Sequence, residues 1–100
     1  MKAYQFTIPQ DKVTLKFEAG LARRWGGFTR NVAVGAWTNP EGKIEIEHVF
    51  VYTVALTWLS RFKRAVPRLF WFVFSHARHA GEKALYYGPL GWPRIYPTGN

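Results

Sequence analysis

The chain has 100 residues, enough for one domain with a modest core. It has no cysteine, which excludes disulfides and thiolate chemistry, and its 48% hydrophobic content excludes a disordered chain. A net charge of +8, from 14 Lys and Arg against 6 Asp and Glu, favours anionic partners.

Ala3 to Ile8 alternates Tyr4, Phe6 and Ile8 against smaller or polar residues, which predicts a strand closed by Pro9. From Gln10 the period lengthens. Val13, Phe17, Leu21 and Trp25 recur every four residues and form one helical stripe. Asp11 is placed to cap the helix start, and Gly26 is placed to end it just after Trp25. Phe28 to Trp37 and Lys43 to Val54 then read as two long strands joined by the turn Asn39-Pro40-Glu41-Gly42. In the second of these, Ile44, Ile46, His48, Phe50, Tyr52 and Val54 share one face. Glu45, Glu47, Val49, Val51 and Thr53 share the other.

Trp58, Leu59, Phe62, Ala65 and Val66 predict a short amphipathic helix, capped by Thr57 and stopped by Pro67. Arg68 to Phe74 is apolar at both parities and is expected to be a buried strand. Ser75 to Lys83 reads as a polar loop, and Ala84 to Tyr87 as a short fifth strand pairing back on the fourth. The order is β-α-β-β-α-β, an α+β ferredoxin-like sandwich with an extra C-terminal strand. The expected domain covers 1–88, and 89–100 forms an extended tail. Helices on one sheet face leave the other bare, with large apolar side chains on it. That predicts a homo-oligomer, a dimer or a trimer.

Glu47 has two readings: a carboxylate that holds a cationic ligand group, or a strand residue paired with Lys43 or Arg30. Glu45 fits the second. Trp37 lies at the hairpin end, roughly opposite Glu47, and an aromatic plane beside a carboxylate suits an onium cation. Tyr86, Tyr87 and His48 are further ligand-binding candidates. His76 and His79 have a spacing that could serve a metal, but no third ligand is near, so neither metal nor cofactor is expected. Arg61, Lys63, Arg64 and Arg68 form a candidate nucleic-acid surface, although the pattern of the RNA-recognition version of this sandwich is absent. No apolar run reaches the ~20 residues that span a bilayer, and MKAYQFTIPQ lacks a signal-peptide core, so a cytoplasmic protein with no membrane partner is expected.

GGFTRNVAVGAW resembles a segment of the small phage-encoded enzymes that degrade S-adenosylmethionine. The likeness is the spacing from Gly26 to Gly35, an aromatic two residues on, and Glu47-His-Val-Phe-Val opening a strand. WFVFSHARHAGEKALYYG looks like that family's last strand, His-containing loop and short closing strand. The hairpin pattern is also similar to that of uncharacterised small bacterial and phage proteins of the same topology. Together these motifs span about two thirds of the chain.

The resemblance implies a trimer with a small cationic ligand bound between subunits, acting for a phage against host restriction in the host cytoplasm. The substrate's own carboxylate would attack its γ-carbon, giving methylthioadenosine and homoserine lactone. Glu47 would match the acidic residue that holds the substrate ammonium. Trp37 stands where that family has a tyrosine, so a phenol hydroxyl is missing here. A different class of protein also fits the composition: a non-catalytic, basic, oligomeric ferredoxin-like protein that binds nucleic acid or a host protein.

Overall fold

The computed structural model describes residues 3–56 and 65–100. It contains β1 (Ala3–Pro9), a 3-10 turn (Gln10–Lys12), α1 (Leu15–Trp25), β2 (Thr29–Thr38) and β3 (Ile44–Ala55). These are followed by α2 (Ala65–His79), β4 (Ala84–Pro89) and β5 (Arg94–Pro97). The sheet is antiparallel throughout, in the order β2-β3-β1-β4-β5. Its first four strands have the ferredoxin-like arrangement, and β5 adds an edge strand.

Strand parity decides which face meets the helices. Phe6, Ile8, Tyr52, Val54, Leu85 and Tyr87 form one core with Phe17, Leu21 and Trp25 of α1 and Leu69, Val73 and Ala77 of α2. Phe6 stacks on Tyr52 with ring centroids 5.1 Å apart, and Phe17 meets both rings edge-on. The Tyr52 hydroxyl donates to Glu18 Oε2 at 2.6 Å, and Arg30 donates to the same oxygen. This network ties α1 to both strands of the hairpin. Burial, and then the bond to Glu18, hold the Tyr52 phenol well above its ordinary range.

The α1 stripe and its end at Trp25 are as expected, with Gly26 at φ 82° and its N–H on Ala22 O. The start differs. Asp11 lies in the 3-10 turn, and Thr14 is the cap, its Oγ1 accepting from the Phe17 N–H at 3.1 Å. The turn at 39–42 is held by Asn39 Oδ1, which accepts from the N–H groups of Glu41 and Lys43.

The largest correction concerns 68–79. The expected buried strand at 68–74 and the first part of the expected loop, through His79, are one helix, α2. Leu69, Val73 and Ala77 recur every four residues and face the core, while Trp71 is 59% exposed. Pro67, expected to end the preceding helix, lies within α2. The helix expected over 58–66, with its cap at Thr57, falls largely outside the described residues. β4 pairs with β1, not with a strand at 68–74, and part of the expected tail forms β5. The open sheet face also differs from expectation. Besides Trp37, Tyr86 and Ile95 it carries small and polar residues such as Gln5, Thr7, Asn31 and Thr53, because most of the large aromatics share the helix side.

Tyr52→Phe keeps the ring packing and removes only the bond to Glu18. It should lower the unfolding free energy in urea by about 2 kcal/mol, the size of a hydrogen bond to a charged group. A loss below about 0.5 kcal/mol would mean that the network contributes little.

Candidate functional site

β1 stops short of the hairpin. Its pairing with β3 ends at Pro9 opposite Val49, so Ile44 to His48 pair with β2 alone. A notch results on the open face, between the hairpin arm, the end of β1 and the start of β4. The notch is a cavity of about 310 Å³, bordered by Gly35, Trp37, Glu47, Glu82 and Tyr86, among others. Its lining has two carboxylates and no basic side chain, in a chain of net charge +8.

Each wall has a local cause. Glu47 lies directly opposite Gly35 in the ladder, so no side chain fills the space beside it. A Cβ at Gly35 would come no closer than 3.9 Å to the Glu47 carbonyl and Val49, so glycine leaves a hollow there without being sterically required. Trp37 pairs with Glu45, not Glu47, and is therefore the diagonal neighbour of Glu47 on the same face. Tyr86 reaches the notch from β4, where it pairs with Thr7 and Ile95.

Glu82 is supplied by the α2–β4 loop, and the end of the chain clasps that loop. The Glu82 carbonyl accepts from the Thr98 hydroxyl and from Asn100 Nδ2, and its N–H donates to Ala77 O. Thr98 is only 3% exposed. Burial first, and then the charge of Asp11, hold the Glu47 carboxyl above its ordinary range. Burial and then Glu47 itself do the same to Glu82, while Lys12 opposes both shifts. Two partly desolvated carboxylates facing one space, with two aromatic rings beside them, suit a ligand carrying ammonium or sulfonium charge.

The structure thus brings together three of the candidates read from sequence, Glu47, Trp37 and Tyr86. His48 pairs with Val34 and lies on the opposite sheet face from Glu47. Tyr87 lies in the core, stacked near Tyr4 and Phe6, with no hydrogen-bond partner for its hydroxyl among the described residues. Arg68 is exposed on α2, and Arg61, Lys63 and Arg64 lie outside the described residues. The arginine considered for Glu47, Arg30, pairs with Glu18 instead. His76 and His79 belong to α2, and no metal-binding cluster occurs among the described residues. No helix there is long and apolar enough to cross a membrane.

No family model and no curated protein matches the sequence. Two solved structures share the architecture. One is a phage SAM lyase in complex with S-methyl-5'-thioadenosine, with a TM-score of 0.57 and 10% identity over 95% of this chain and 86% of that one. The other is a phage SAM lyase in the apo state, with a TM-score of 0.55, 11% identity and the same coverage. At these identities the likeness establishes the fold.

A carboxyl with a raised folded-state pKa binds its proton more readily folded than unfolded. Its contribution to stability therefore falls as pH rises from the ordinary glutamate range through the raised one. Glu82→Gln should accordingly raise Tm relative to the parent at pH 7 and lose that advantage as pH falls through and below the ordinary glutamate range. Equal Tm values across that range would mean that the two carboxylates do not share one space.

Proposed function

We propose that the chain degrades S-adenosylmethionine as a lyase, with the Glu47 notch as its substrate site. The observation that carries this reading is the notch itself: two carboxylates with no ion-pair partner among the described residues, and two aromatic rings, on a fold shared with a phage SAM lyase. S-adenosylmethionine presents an ammonium, a sulfonium, a carboxylate and an aromatic base. Glu47 would accept hydrogen bonds from the ammonium, and Trp37 would offer its face to a cationic or aromatic part.

The reaction needs no proton transfer and no added reagent. A carboxylate oxygen of the substrate attacks its own γ-carbon, and the C–S bond breaks. The bonding pair goes to sulfur, which leaves as the neutral thioether methylthioadenosine, and the ring that closes is homoserine lactone. One negative and one positive charge cancel in the step, so a site that excludes water speeds it. The protein's task is to fold the flexible substrate so that oxygen, carbon and sulfur align. Neither a general base nor the phenol missing at Trp37 is required for that task.

The same reading includes self-association through the hairpin arm, on the sheet face opposite the notch. Val32, Val34, Ile44 and Ile46 give the hairpin arm an exposed apolar stripe, each at least 60% exposed. Such a stripe favours a homo-oligomer. A phage origin and an anti-restriction role in the host cytoplasm complete the proposal.

The test is to incubate the purified protein with S-adenosylmethionine and follow methylthioadenosine by chromatography. Release is expected from the parent. Glu47→Gln should lower kcat/KM roughly 30-fold, the equivalent of about 2 kcal/mol for one charge-assisted contact. Gly35→Val, which fills the notch from a strand position that tolerates a Cβ, should abolish turnover while Tm stays within a few degrees of the parent. Absence of methylthioadenosine from the parent protein sinks the proposal. Sedimentation of the same sample as a lone 11.6 kDa particle removes the self-association part.

A further inference from the structure

Two basic stretches far apart in sequence meet on the helix side of the sheet. Lys16, Arg23 and Arg24 of α1 and His76 and His79 of α2 border one cleft of about 470 Å³ between the helices. No aspartate or glutamate lines it. Among the described residues, none of these five side chains forms an ion pair.

The cleft is ordered from within. Arg24 Nη1 donates to Gly20 O at 3.3 Å, and its guanidinium lies 4.7 Å from the centre of the Phe72 ring. Gly20 permits this arrangement. A Cβ there would stand 2.8 Å from Arg24 Nη1 and 3.1 Å from the Phe72 ring. His76 Nε2 donates to Lys12 O at 2.8 Å, and His79 Nδ1 donates to Ser75 O at 2.7 Å. A carbonyl can only accept, so those nitrogens carry the protons. The second nitrogen of each ring has no protein partner among the described residues.

We infer that this interhelical cleft binds a phosphate-bearing anion. Three permanent cations converge without a carboxylate to offset them, and an oxyanion relieves that repulsion. Guanidinium forks and an ammonium match phosphate oxygens in geometry. The volume falls in the ~300–1,000 Å³ range of small-molecule sites, larger than one phosphate needs. A free diphosphate or nucleotide and the backbone of a nucleic-acid strand share this chemistry. The cleft lies across the sheet from Glu47, so the inference stands or falls apart from the lyase reading.

The full chain is titrated with inorganic pyrophosphate and with a fluorescein-labelled thymidine oligonucleotide, each at several salt concentrations. Lys16→Glu with Arg23→Glu, both at exposed positions, should weaken binding of either probe at least tenfold. Lys43→Glu with Arg94→Glu makes the same charge change elsewhere and should leave affinity within twofold. Gly20→Ala, which leaves the charge intact but displaces Arg24, should also weaken binding. Oligonucleotide binding that is tighter than pyrophosphate binding and falls steeply with salt supports the cleft as a strand site. Equal or tighter pyrophosphate binding supports it as a free-phosphate site. The inference is overturned if neither probe binds below millimolar concentration, or if the two double variants weaken binding equally.

Discussion

Phe6 against Tyr52, ring on ring at the middle of the sheet, determines what each face can do. The pair is fixed by the register Phe6↔Tyr52 and locked from above by Phe17 and by the Glu18 carboxylate. With Tyr52 inward, every odd-numbered position of β3 from Glu45 to Thr53 points away from the helices. Glu47 is therefore on the open face, beside Gly35 and Trp37. A slip of one residue would drive Glu45 and Glu47 toward the core side and put Tyr52 in water, so packing energy enforces the position of the site.

That parity also separates the charges. The helix side holds the cleft between α1 and α2, bordered by Lys16, Arg23 and Arg24. The opposite side holds the notch with Glu47 and Glu82. The net charge of +8 thus averages over two surfaces of opposite local sign. The hairpin arm adds a third feature. It continues past the end of β1, so its outer apolar residues lack cover, and it lengthens the molecule to 47 Å against 27 and 26 Å in the other directions.

The hairpin was the most legible part of the sequence, because alternation in Ile44 to Val54 and the Asn-Pro-Glu-Gly turn point to the same structure. It carried Glu47 and Trp37 with it, although the ladder places Glu45 opposite Trp37. Residues 68–74 were ambiguous, since a short run that is apolar at every position has no visible period. The deciding signal lay beyond the run, in the four-residue spacing Leu69, Val73, Ala77, which continues into the polar residues read as a loop. Glu82 had no local signal at all. It joins the site only because β4 pairs with β1 and because Thr98 and Asn100 clasp its carbonyl. The basic cleft was hidden for a similar reason, as α1 and the end of α2 are about fifty residues apart in the chain.

The central claim is that Glu47 and Glu82 face one space that takes a cation. A carboxyl-carbon NMR titration of both side chains, alone and with a non-reactive amine analogue of S-adenosylmethionine, tests it most directly. In the free protein both should titrate above ordinary glutamate, and the analogue should move at least Glu47 back down as its ammonium stabilises the charged form. Two ordinary titrations that the analogue leaves unchanged would contradict the account.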